Sequence, residues 1–144
     1  MTKRNLVMSM CACLMVAFLG ACNPYPDGPL VSLSSKAKRV ANTWKVEKAT
    51  DDDGDDVTAD LADDRYTLSE DGTALYRTKI LGVSVELDGT WELTNDDASF
   101  RINVSDGSGL ITLDQSFNIR RLAEDQFWLT SADDDDATLD LIPF

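Results

Sequence analysis

Ser99-Phe100-Arg101-Ile102-Asn103-Val104-Ser105 is the stretch that decides the fold. Phe100, Ile102 and Val104 alternate with Ser99, Arg101, Asn103 and Ser105, and the run is bounded by Asn95-Asp96-Asp97 and by Asp106-Gly107-Ser108-Gly109. Successive side chains of an extended chain point to opposite faces, so the pattern predicts a strand with one face buried and one in water.

The same period runs in both directions from it. Trp44 and Val46 alternate with Lys45 and Glu47, and Tyr66 and Leu68 with Thr67 and Ser69; Asp71-Gly72 then predicts a tight hairpin before Ala74 to Ile80. Val83, Val85 and Leu87 continue it, followed after Gly89 by Trp91 and Leu93, then Ile111 and Leu113, Phe117 and Ile119, Phe127 and Leu129, and Leu139 and Leu141. Arg120-Arg121-Leu122 breaks the alternation, which predicts a bulge or a strand end. Trp128 is out of phase with Phe127 and Leu129, so it is expected to face outward or into a turn as a contact surface. About eight strands joined by short turns, with no helical pattern between them for a parallel crossover, predict an all-β antiparallel meander. Eight such strands close into an up-and-down β-barrel with room for side chains or one small ligand. A two-sheet β-sandwich is the alternative closure, and alternation alone does not separate the two.

Upstream of Thr43 the chain reads differently. Lys3 and Arg4 precede an uncharged run over residues 6–19, too short for the roughly 20 residues that span a bilayer core, and this is the pattern of an export leader. Ordinary cleavage after Ala21 would place the large Leu19 at the -3 position. Leu19-Gly20-Ala21-Cys22 instead resembles the lipobox of bacterial lipoproteins. That resemblance implies that residues 1–21 are a signal peptide and that Cys22 carries fatty acyl groups, palmitate among them. Two or three acyl chains hold a protein stably on a membrane without crossing it. Asn23 after the Cys resembles the outer-membrane sorting pattern, and by the same lipoprotein resemblance, in which acids just after the Cys go with surface export, Asp27 as the lone nearby acid implies the periplasmic face. Asn23 to Pro29 holds three of the four prolines, so residues 22–34 read as the lipidated Cys and a semi-stiff spacer lifting the domain off the lipid. Residues 35–144 are then the barrel domain, opened by a short helix over residues 36–41 with Ser34 or Ser35 as its cap.

The inventory closes several functional classes. Cys11 and Cys13 leave with the leader, Cys22 is taken by lipid and the chain has no His, so triad catalysis and thiolate or imidazole metal sites are excluded. A carboxylate pair is the acid/base chemistry that remains, with Glu70, Glu86 and Glu92 as candidates, but no spacing singles out two of them. The chain therefore reads as non-enzymatic. Lys3 and Arg4 leave with the leader and no acid does, so the formal charge of -13 falls by two to -15. Nucleic acid and anionic headgroups are poor partners for such a chain, whereas a basic protein fits. Asp51, Asp53, Asp55 and Asp56 are candidate calcium ligands in the acidic run 51–56. The EF-hand template fails there, because with Gly54 at its sixth position the twelfth is Asp60 rather than Glu. A solvated loop is the plainer reading, as it is for a hairpin tip at Asp133 to Asp136. Trp44, Tyr66, Tyr76, Trp91, Phe100 and Phe117 are candidate linings for a small hydrophobic ligand, weighed against plain core filling.

One family resemblance is carried by Trp44 on the first strand, Tyr66-Thr67-Leu68-Ser69 with Asp71-Gly72-Thr73, Gly89-Thr90-Trp91-Glu92-Leu93, Phe117-Asn118-Ile119-Arg120-Arg121-Leu122 and Phe127-Trp128-Leu129. Over residues 36–142 the chain resembles the lipocalin-like domain of small Bacteroidetes-type lipoproteins. The resemblance implies an eight-stranded barrel with a helical lid at one end and no established catalytic residues. In lipocalins proper a Gly-x-Trp opens the first strand and an Arg near the last strand covers that Trp. Asn42 stands at the Gly position here, and Arg120 or Arg121 is the corresponding cover for Trp44. The expected function is thus a lipid-anchored, non-enzymatic envelope protein whose barrel takes a small hydrophobic ligand. An acidic protein-binding module and a calcium-stabilised structural or adhesion protein are the alternatives.

Overall fold

The computed structural model describes residues 25–26 and 35–144, so the leader, Cys22 and most of the spacer lie outside the described residues. A short helix α1, Lys36–Val40, is capped by Ser35, whose Oγ accepts the Lys38 N–H at 3.2 Å. Eight strands follow: β1 Thr43–Thr50, β2 Arg65–Leu68, β3 Thr73–Ile80, β4 Val83–Thr94, β5 Ser99–Ser105, β6 Thr112–Leu122, β7 Phe127–Ser131 and β8 Thr138–Pro143. Each pairs antiparallel with the next, and β1 pairs with β8, so the sheet closes on itself. That closure selects the barrel over the sandwich.

Register puts the expected faces together. Trp44 stands opposite Tyr66, Tyr66 opposite Tyr76, and Tyr76 opposite Leu87. Farther round, Phe100 lies between Leu93 and Phe117. Two pairs of short runs in the sequence turn out to be single long strands. β4 carries straight through Gly89, where an added Cβ would lie 2.0 Å from the Asn103 carbonyl oxygen, so the two strands approach as closely as only glycine allows. At the β2–β3 turn Gly72 alone takes a positive φ, +87°, and its N–H donates to the Ser69 carbonyl at 3.0 Å. Asp71 keeps a negative φ and accepts from the Thr73 N–H and hydroxyl instead.

The expected bulge is present, with the β6–β7 register shifting between Ile119 and Arg121. It has a consequence that alternation did not reveal. A bulge turns neighbouring side chains to one side, and both Arg120 and Arg121 lie over the outward Trp128, at 5.8 and 5.2 Å from its ring. Neither covers Trp44, which corrects the lipocalin-based expectation. Trp128 does face outward, but it is half-buried beneath these arginines rather than a bare contact surface.

One end of the barrel is filled and lidded. Trp44 Nε1 donates to the Val40 carbonyl at 2.8 Å, and Arg39 Nη1 donates to that of Leu122 at 2.6 Å, so α1 is fastened across this end from two strands. Beneath it Phe127 packs 5.6 Å from Trp44 and edge-on to Phe100 at 5.1 Å. Ile102, Leu122, Leu129 and Leu141 complete the layer, each at most 2% exposed. Burying each such side chain stabilises by about 1.5–3 kcal/mol.

Candidate ligand-binding site

The other end is open. Strand directions gather there the β1–β2 loop (51–64), the β3–β4 turn (81–82), the β5–β6 loop (106–111) and the β7–β8 loop (132–137). A pocket of about 440 Å³ opens among them, within the range of small-molecule sites. Its origin is a length mismatch between strands. β6 starts at Thr112, but its ladder with β7 begins only at Phe117, extended by one bond from the Ala132 N–H to the Ser116 carbonyl. Among the described residues Thr112 to Gln115 pair with β5 alone. The sheet parts there, and the gap becomes the pocket wall.

The lining divides by chemistry. Leu61, Leu113, Leu139, Phe117 and the ring faces of Tyr66 and Tyr76 supply an apolar side, and Thr50, Gln115, Ser131 and Thr138 supply hydroxyl and amide groups. Asp114 also borders it, but its carboxylate is held by Arg101 Nε and Nη2 at 3.0 and 2.9 Å, which keeps its pKa below the usual carboxylate range. Below the pocket the interior narrows to a void of about 10 Å³ among Leu68, Phe100, Ile102, Phe127, Leu129 and Leu141, at the limit for one water.

Of the six aromatic side chains singled out from sequence, the fold splits three from three. Tyr66, Tyr76 and Phe117 line the pocket, whereas Trp44, Trp91 and Phe100 fill the closed half. Trp91 is oriented by its Nε1, which donates to the Ser69 carbonyl at 2.8 Å. Leu113 and Gln115 were missed as lining, although they share the period-two phase of Phe117 and could have been read from it.

Asp64 was also missed, and it departs from the solvated loop to which its acidic neighbours belong. It is 2% exposed, accepting from the Tyr76 hydroxyl at 2.5 Å and from Thr78 Oγ1 at 2.7 Å. Tyr66 stacks on Tyr76 with ring centroids 4.7 Å apart. Burial first, then the carboxylate it donates to, pushes the Tyr76 hydroxyl up to about 12. Burial does the same to Tyr66, raising it well above the usual tyrosine value. This wall is therefore a fixed, protonated pair of phenols anchored on one buried acid.

The candidate calcium ligands do not converge. Asp51 Oδ1 accepts the N–H groups of Asp53 and Asp55 at 3.1 and 2.9 Å, and Asp56 Oδ1 accepts that of Thr58 at 2.9 Å, so both carboxylates hold their own turns. Among the described residues no group of three or more acids is gathered for a metal. Glu86, one of the acid/base candidates, is bound by Arg77 on the exposed β3–β4 ribbon.

No protein-family model matches the chain, and no curated protein does either. Among solved structures it is similar to a lipocalin-like protein from Bacteroides uniformis, with a TM-score of 0.58 at 13% identity over 74% of this chain and 99% of that one. The fold is lipocalin-like. An uncharacterised protein from Bacteroides eggerthii is similar to the same extent, with a TM-score of 0.55 at 12% identity over 72% of this chain and 98% of that one. Identities this low speak to the fold alone.

Proposed function

We propose that this chain is a lipid-anchored envelope protein of the outer membrane, without catalytic activity, whose lipocalin-like barrel binds a small amphipathic molecule in its open end. The observation that carries the binding role is the contrast between the two halves of the interior: one is packed with aromatic side chains, the other holds a 440 Å³ pocket. An apolar wall facing hydroxyl and amide groups, with the carboxylates of Asp114 and Asp133 also bordering the pocket, selects a ligand without negative charge that has a flat or aliphatic body and hydroxyl, amide or ether substituents. The lipobox at Leu19 to Cys22 supports the anchor, Asn23 supports the outer membrane, and the scarcity of nearby acids supports its periplasmic face.

Titration with Nile red, an uncharged amphipathic dye, tests the binding role in the chain from residue 22 bearing Cys22→Ser. One saturable, blue-shifted site is expected. Gln115 is exposed within the pocket, so Gln115→Trp fills the space without disturbing the core and should weaken the dye at least tenfold at unchanged Tm. Equal binding by the variant would place the dye elsewhere. An intact-mass measurement of the matured protein tests the anchor, which predicts a chain beginning at Cys22 with added acyl mass.

A second reading is favoured by where the acids lie. Asp51 to Asp56, Asp106 and Asp133 to Asp136 all belong to loops of the open end, which suits that end to docking a basic protein. Capture of such a partner would weaken steeply with salt, whereas dye binding would not.

A further inference from the structure

Tyr25 stands three residues after Cys22, and it is 2% exposed. Its hydroxyl donates to the Asp97 carbonyl at 2.7 Å, and the Lys36 ammonium lies 5.8 Å from its ring centroid. The turn that receives it is unusual. Asn95, Asp96 and Asp97 take successive positive φ values of 54°, 54° and 63°. Three left-handed residues in a row are costly for side chains other than glycine, and Asn and Asp tolerate the conformation best. Lys36 Nζ reaches the Asp96 carbonyl at 3.4 Å and the Asp97 carboxylate at 3.4 Å, so Tyr25 and α1 clasp the same β4–β5 turn. All of this lies at the closed end. A spacer that lifted the domain away from lipid would have no reason to bury a tyrosine so soon.

We propose that the closed end is a membrane-facing surface: acyl chains on Cys22 hold α1 and the β4–β5 turn against lipid headgroups, and the ligand pocket opens toward water. The inference rests on the acylation of Cys22 proposed above. An extended chain covers at most about 3.6 Å per residue, so the acylated Cys22 lies within roughly 11 Å of the Tyr25 Cα. The pocket rim is farther, because eight tilted residues of β1 separate the two ends by roughly 20 Å. Charge is uneven along the same axis, which the net value of the chain conceals. The turns of the closed end carry Glu70, Asp71, Asp96, Asp97, Glu124 and Asp125, partly offset by Lys36, Lys38 and Arg39 on α1, whereas the rim loops carry the longer runs Asp51 to Asp53 and Asp133 to Asp136 with no Lys or Arg among them. Anionic headgroups therefore repel the rim more strongly than the closed end.

The rival orientation has one argument in its favour, a set of apolar side chains at the rim. Leu81 and Leu110 are 101% and 87% exposed and Val83 is 65% exposed. Inserting them in the bilayer would press the acidic loops against the headgroups and pull Tyr25 from its seat. With the closed end down, those side chains face water-borne partners, and ligand enters the pocket from the aqueous side rather than from the membrane.

The experiment uses the full chain, exported with its own leader and reconstituted into phosphatidylethanolamine and phosphatidylglycerol vesicles doped with a nickel-chelating headgroup lipid. Acylated Cys22 leaves a single added cysteine as the one labelling site, so nitroxides go separately on Lys38→Cys and Leu110→Cys. Nickel relaxation several-fold stronger at position 38 than at 110 is expected, with Tyr25→Ala bringing the ratio toward one. A parent ratio of one or below overturns the orientation while leaving the anchor intact. An unchanged ratio in Tyr25→Ala overturns the part assigned to Tyr25. Chains that do not sediment with the vesicles and keep a free Cys22 thiol overturn the anchor and the orientation together.

Discussion

The chain has three tyrosines, Tyr25, Tyr66 and Tyr76, and burial raises the pKa of each, to about 12 for Tyr25 and Tyr76. The consequence for pH stability has a definite sign. Below about pH 10 the folded and the unfolded chain both keep these protons, so this contribution to stability is fully present. Between about pH 10 and 12 the unfolded chain loses protons that the fold retains, and stability falls as pH rises. Absorbance at 295 nm should show no tyrosinate appearing near pH 10 ahead of unfolding followed by circular dichroism; a tyrosine titrating normally in the folded state would contradict the burial. Asp64 adds a second prediction at this scale. Asp64→Ala leaves the Tyr76 and Thr78 hydroxyls without their acceptor and should cost about 1–3 kcal/mol in urea unfolding. An Asp64 in solvated loop, like the exposed Asp52 twelve residues earlier, would cost almost nothing.

Among elements, what was legible depended on whether one face alone was wet. β5 reads Ser-Phe-Arg-Ile-Asn-Val-Ser because core and water impose the period directly, and its inward residues are all buried. Gly89 interrupted the same signal in β4, since a residue without a side chain reports neither face, and one strand read as two. Its role is close approach, so Gly89→Ala should shift the β4–β5 pairing and lower Tm by roughly 10 °C, with full retention of Tm sinking the strand-contact explanation. The pocket lining was only half legible. Alternation names the face that points inward but not the depth along the axis, which depends on where β7 stops pairing with β6. Trp44 and Phe117 therefore looked equivalent in sequence, and one became core and the other wall. Asp64 was hidden for a different reason: its partners Tyr76 and Thr78 lie across a strand pairing that local sequence does not reveal.

At the scale of the whole molecule, the barrel divides its labour between two ends. The closed half supplies the stability, centred on Phe127, which touches both Trp44 and Phe100; Phe127→Ala should cost about 3–5 kcal/mol by urea denaturation. The open half gives up packing for space. The most direct measurement of that division is the change in backbone amide shifts when Nile red is added to the isotope-labelled chain from residue 22 bearing Cys22→Ser. Perturbations confined to Thr50, Leu113 to Phe117, Ser131 and Thr138, with Val40, Trp44 and Leu122 unmoved, are the predicted result. Shifts centred on the closed end or on the outer face, or none in that pocket at saturating dye, would contradict it.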